Sequence, residues 1–68
     1  MTGIVKFYKD QRNFGYGFIL GDGKDHYFTK RDWKEDDPPI KYEEVTFDPV
    51  KTSKGFRAKH IRRFRNGE

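Results

Sequence analysis

The sequence predicts an all-β domain of five short strands in a small closed sheet. Three observations carry that expectation. β-Branched and aromatic runs recur along the 68 residues, separated by turn residues. Apolar residues within the runs alternate at the strand period of two, and no window of about 11 residues keeps a helical period. Asp22-Gly23 sits between two such runs, a strong short-range hairpin signal. The chain has room for one domain, here taken as residues 1–68. Closure of the sheet removes the bare edges that would invite aggregation.

Each element follows in order. Thr2 to Lys9 (TGIVKFYK) lacks a helix cap and reads as the first strand, and Asp10 to Asn13 as a turn. Tyr16 to Leu20 is the second strand, closed by Gly21-Asp22-Gly23, and Asp25 to Lys30 returns antiparallel to it. Arg31 to Tyr42 is a long loop, because Pro38-Pro39 breaks any helix, with a short helical turn at Arg31–Lys34. Glu44 to Asp48 alternates Val45 and Phe47 against polar neighbours and forms a fourth strand, which Pro49 either ends or marks as an edge or bulge. A turn within Lys51–Gly55 leads to the fifth strand, Phe56 to Arg63, and the chain finishes in a frayed basic tail, about 64–68.

The inward set is Val5, Ile19, Phe28, Val45, Phe47 and Ile61, with Trp33 and Ile40 as lids. Each contributes about 1.5–3 kcal/mol when fully buried, against the entropy of ordering the chain. That core is thin, and a barrel of this size cannot also hold most of the chain's aromatic residues. Alternation puts Tyr16 and Phe18 on one face, opposite Ile19, and Tyr27 and Thr29 on one face, opposite His26 and Phe28. Two adjacent strands then present three rings side by side outside the barrel.

Charge is segregated. The net formal charge is +4, yet Asp32 to Asp48 is strongly acidic while the segments before and after it are basic. If the basic segments meet in space they attract polyanions, and flat rings among cations suit unpaired, stacked bases. The chain has no cysteine, which excludes disulfides and thiolate zinc sites and fits a reducing, cytoplasmic setting. No apolar run approaches the roughly 18 residues of a membrane span, and no signal-peptide core follows Met1. His26 and His60 lack the company that a metal site needs, and no nucleophilic triad or phosphate-cradling loop is present. The expectation is therefore a protein that is not an enzyme, without cofactor or metal, and monomeric by default.

The residues resemble the cold-shock domain family over nearly the whole chain. Ile4-Val5-Lys6-Phe7-Tyr8 is similar to its opening strand, Gly15-Tyr16-Gly17-Phe18-Ile19 to its first RNA-binding motif and Asp25-His26-Tyr27-Phe28-Thr29 to its second. Glu44-Val45-Thr46-Phe47 and Lys54-Gly55-Phe56-Arg57-Ala58 stand where its last two strands belong. The resemblance implies a five-stranded antiparallel OB-fold barrel that binds single-stranded RNA or DNA on the face of its first three strands, as an RNA chaperone of low sequence selectivity. The chain also departs from the family. Phe14 stands where a lysine usually opens the first motif, Thr29 and Lys30 replace a histidine and a phenylalanine, and the long loop has no phenylalanine.

The expected nucleic-acid-binding residues are Lys6, Phe7, Tyr8, Lys9, Arg12, Tyr16, Phe18, Tyr27, Thr29, Lys30, Lys54, Phe56 and Arg57. Tyr16, Phe18 and Tyr27 are the stacking rings; the plainer alternative is cross-strand pairs that only stabilise the sheet. Strict alternation sends Phe7 to the core and Tyr8 outward, whereas the resemblance implies that both reach the binding face, which needs a bulge in the first strand. Phe56 either extends the platform or closes the barrel end. Trp33 is read as a barrel plug. The lysines and arginines would meet phosphates, while Arg62, Arg63 and Arg65 either extend that footprint or balance the acidic loop. A protein-interaction module using the same rings as hot spots is the rival reading.

Overall fold

The computed structural model of the protein describes residues 1–11 and 14–65. Among these residues five strands occur: β1 (Thr2–Gln11), β2 (Phe14–Gly21), β3 (Lys24–Thr29), β4 (Glu44–Thr52) and β5 (Gly55–Arg63), with a single 3-10 turn, Lys30–Asp32, after β3. They close into a barrel in the order β1-β2-β3-β5-β4, with β4 returning to pair with β1. One part of the expected architecture needs correction. The barrel is mixed, because β3 and β5 run parallel where they meet, pairing His26 with Phe56 and Tyr27 with Arg57. The long loop and the β4–β5 hairpin lie between these strands and bring β5 back alongside β3 in the same direction.

Local chemistry explains the joins. Asp22 and Gly23 are both at positive φ, 53° and 72°, the backbone of the primed two-residue turn whose twist matches the strands it joins. β4 runs on through Pro49, which pairs with Ala58, so proline neither ends the strand nor falls at its irregularity. That irregularity lies between Thr46 and Asp48, where β5 carries an extra residue and His60 takes a φ of 54°.

A second bulge decides which side chains face out. Val5 pairs with Ile19, but Phe7 pairs with Phe18, leaving Lys6 as the extra residue of β1. Past that point the alternation is inverted. Phe7 turns outward and Tyr8 turns in, the reverse of the strict count.

The core contains the six expected residues, all nearly or fully buried, together with Trp33 and Ala58. Trp33 serves as the plug. Its indole N–H donates to the Asp37 carbonyl at 2.6 Å, and the Arg63 guanidinium lies over its ring at 5.2 Å. Ile40 is not a lid; it is 60% exposed. His26 is buried, with Nδ1 3.3 Å from the Ile19 carbonyl oxygen and its ring edge-on to Phe47. No helix among the described residues is long and apolar enough to cross a membrane.

Candidate nucleic-acid interface

The ladders of β1, β2 and β3 define one outward face. Phe7 stands opposite Phe18 and Lys9 opposite Tyr16, while Tyr16 faces Thr29 and Phe18 faces Tyr27 across the next seam. Residues directly opposite on antiparallel strands share a face, so these side chains form a grid. The rings touch in sequence. Phe18 lies 5.6 Å from Phe7 and 5.7 Å from Tyr27, and Tyr16 lies 6.0 Å from Phe7, 6.2 Å from Tyr27 and 5.9 Å from Phe14. The two phenylalanines at the margins, Phe7 and Phe14, are exposed, and the three central rings are half-buried. These rings remain in water on one side of the barrel, where burial against the core would have been the ordinary outcome for them.

Glycine makes this arrangement possible from beneath. A Cβ at Gly17 would collide with the Phe7 carbonyl oxygen and stand 2.9 Å from Cζ of Phe28. The inward glycine thus leaves space for the Phe28 ring and lets β1 approach β2 closely. The flanking Tyr16 and Phe18 face out for the same geometric reason.

Cations surround the grid unevenly. Lys9 is exposed beside Tyr16, Lys30 is exposed in the 3-10 turn, and Lys54 is exposed in the β4–β5 turn. Lys6, on the bulge, is paired with Asp25 at 3.2 Å, and both groups are about half exposed; such a pair is readily exchanged for another anion. Arg57 lies over the Tyr27 ring at 5.8 Å, with Nη2 donating to Asp32 at 3.1 Å and contacting the Thr29 hydroxyl at 3.4 Å. Phe56 is half-buried against His26, with the Lys24 ammonium 5.2 Å from its ring centre. Arg12 lies outside the described residues.

Two open clefts border the rings. One, of about 580 Å³, runs between Phe18, Tyr27, the β4–β5 turn, Phe56 and Arg57. The other, of about 490 Å³, is lined by Phe14, Gly15, Thr29, Lys30, Arg31 and Arg57. Each falls within the small-ligand range and can take a base-sized group.

Of the expected residues, Phe7, Tyr16, Phe18 and Tyr27 form one cluster, with Lys9, Thr29, Lys30, Lys54, Phe56 and Arg57 around it and Lys6 on the bulge at the β1 side. Tyr8 does not join them. It stacks on Phe28 at 5.8 Å, within the core side of the barrel, because the bulge turned it inward. Burial, and to a lesser degree the Asp10 carboxylate, push its phenol above the ordinary value. Two contributors escaped the sequence reading. Phe14 extends the ring row, and its position two residues before Tyr16 carried that signal. Asp32 is buried and accepts from the Thr29 backbone N–H at 3.0 Å as well as from Arg57. The Thr-x-x-Asp spacing of a capping box was its trace in the sequence.

Of the tail arginines, Arg63 and Arg65 balance the acidic loop, while Arg62 is exposed. Arg63 pairs with Glu43 at 2.8 Å and donates to the Pro38 carbonyl, and Arg65 pairs with Glu35 at 3.1 Å. Phe64 bonds through its backbone to Glu44. Residues 66–68 of the tail lie outside the described residues. Among the described residues, no group of His, Cys, Asp and Glu is arranged to hold a metal ion. No family model matches the chain, and no curated protein matches it.

Proposed function

We propose that this barrel binds single-stranded nucleic acid, with bases stacked on the outward rings of β1 to β3 and phosphates met by the surrounding lysines. The contiguous row Phe7, Phe18, Tyr27, Tyr16 and Phe14, kept wet beside Lys9, Lys30 and Arg57, is the observation that carries this reading. Stacking on each ring contributes about 1–3 kcal/mol per base and tolerates any base, so selectivity is low. The reading includes the fold and the family. A closed five-stranded barrel in the order β1-β2-β3-β5-β4 fits an OB fold, whose second and third strands and flanking loops are its usual ligand surface. The glycine-aromatic motif Gly15–Ile19 and the aromatic run His26-Tyr27-Phe28 support a cold-shock kinship.

The protein then acts as a cytoplasmic RNA chaperone that keeps strands unpaired without ATP and without chemistry. Ring–base stacking replaces base–base stacking, and each phosphate contact releases a counterion. The test is titration of fluorescently labelled oligo-dT or oligo-U with the protein across a salt series, read by anisotropy. The expected result is an affinity that falls linearly with salt on a log–log plot. An affinity indifferent to salt, or no binding at all, would favour the interaction-module reading, in which the same rings anchor a partner protein.

A further inference from the structure

The cleft at the Phe14 end of the ring row is chemically one-sided. Its lining offers Arg57, Lys30 and Arg31, which carry only hydrogen-bond donors. Thr29 supplies the remaining side-chain hydroxyl, and that group is already engaged, donating to Asp32 Oδ2 at 3.3 Å and facing Arg57 Nη2 at 3.4 Å. Asp32 itself is buried and does not line the cleft. Among the side chains, a ligand entering this space therefore meets donors and almost no acceptors. The Phe14 ring, 48% exposed and stacked with Tyr16, supplies a flat wall for a base.

Arg57 is fixed in advance of any ligand. Its Nη2 is held by Asp32, its Cζ lies 5.8 Å from the Tyr27 ring centre, and its Nε is enclosed without a partner among the described residues. Nη1 has no hydrogen-bond partner among the described residues, and the side chain remains 32% exposed. Because the buried Asp32 carboxylate balances the guanidinium charge, the pair is close to neutral as a unit. It suits the oxygen of a neutral dipole better than a phosphate. Lys30 and Arg31, exposed and without acidic partners among the described residues, are left for the phosphates on either side.

Base edges differ in just this respect. At the position farthest from the sugar, guanine O6 and the O4 of uracil or thymine accept hydrogen bonds, whereas the exocyclic amino groups of adenine and cytosine donate them; the O2 shared by all pyrimidines lies beside the glycosidic bond. An amino group at that far position would meet the guanidinium donor to donor. We propose that Arg57, positioned by Asp32 and Thr29, reads the carbonyl at C6 of guanine or C4 of uracil or thymine, so that this cleft selects these bases over adenine and cytosine, which carry an amino group at that position. The inference rests on the reading of the ring face as a base-stacking surface and adds a selectivity to it.

Two RNA octamers test it, one alternating U and G, the other alternating C and A. They share length, charge and the alternation of pyrimidine and purine, so their phosphate contributions are equal. The folded protein is expected to bind the U/G octamer about tenfold more tightly, the scale of one charge-assisted hydrogen bond. Arg57→Gln should bring the two affinities together. Where that variant strands the buried Asp32 charge and unfolds, Arg57→Gln with Asp32→Asn keeps the charge balance and gives the same readout. Equal affinities for the wild-type protein overturn the selectivity while leaving the stacking surface intact. A preference that survives loss of Arg57 also overturns it, and a salt slope lowered by about one in that variant then assigns Arg57 to a phosphate. Failure to bind either octamer overturns the stacking surface itself.

Discussion

Phe7 and Tyr8 are neighbours in sequence that the extra residue Lys6 sends in opposite directions. Phe7 joins the exposed rings, and Tyr8 packs on Phe28. Truncating Phe18, the ring between Phe7 and Tyr27, isolates the stacking contribution. Phe18→Ala should weaken oligonucleotide binding by about 1–3 kcal/mol with an unchanged salt slope, read by fluorescence titration at several salt concentrations. Unchanged affinity in a folded variant would remove Phe18 from the site. Tyr8 gives a prediction about pH. Its phenol is raised above 10.0 by burial first and by Asp10 second. A pKa raised on folding means the neutral phenol is favoured in the folded state. That contribution is complete below the unfolded pKa and disappears as pH climbs through the folded one. Stability should therefore be indifferent to Tyr8 ionisation near neutrality and decline in the alkaline range. Tyr8→Phe should lessen the decline, seen by comparing urea melts at about pH 7 and about pH 11.

The strands show what alternation can and cannot reveal. Ile19, Phe28, Val45 and Phe47 were legible as core because a strict period of two holds along β2, β3 and the start of β4. The hairpin was legible because Asp-Gly demands a particular backbone. The inversion after Val5 was not legible from period alone, since a bulge has no composition of its own here; only the resemblance required one. The parallel seam was likewise hidden, because the pairing of β3 with β5 is fixed by closure of the whole sheet and by no local residue type. Arg57 and Asp32 meet across 25 residues, which no spacing rule reaches. The glycines of β2 carry a further test. Gly17→Ala forces a methyl against the Phe7 carbonyl and the Phe28 ring. The expected cost is about 1–3 kcal/mol or more, the range for overpacking a dense core. A denaturation midpoint equal to the wild-type value would contradict the close approach of β1 and β2.

Across the whole molecule, charge is sorted by position. The acidic loop is tied by Glu35 and Glu43 to Arg65 and Arg63 at the end of β5, while Lys9, Lys30 and Lys54 border the rings. Arg63 and Arg65 thereby hold the loop against the barrel. Arg63 and Glu43 are each about four-fifths buried, and Arg63 also covers Trp33. Arg63→Ala should destabilise the fold by about 2–3 kcal/mol, less than rupture of a fully buried pair. The salt slope of oligonucleotide binding should not move, because this guanidinium is engaged with the loop. A lowered slope would mean that it meets phosphate instead. The parallel join of β3 to β5 has a different bearing on the molecule. It is the shortest seam of the barrel, two paired positions against three between β1 and β4, so few ladder bonds offset the loop entropy of closing it. Tyr27 and Arg57, one from each bank, stand directly above it. A strand of nucleic acid lying there would act as a suture, so that grip on the guest and integrity of the host would rise and fall together.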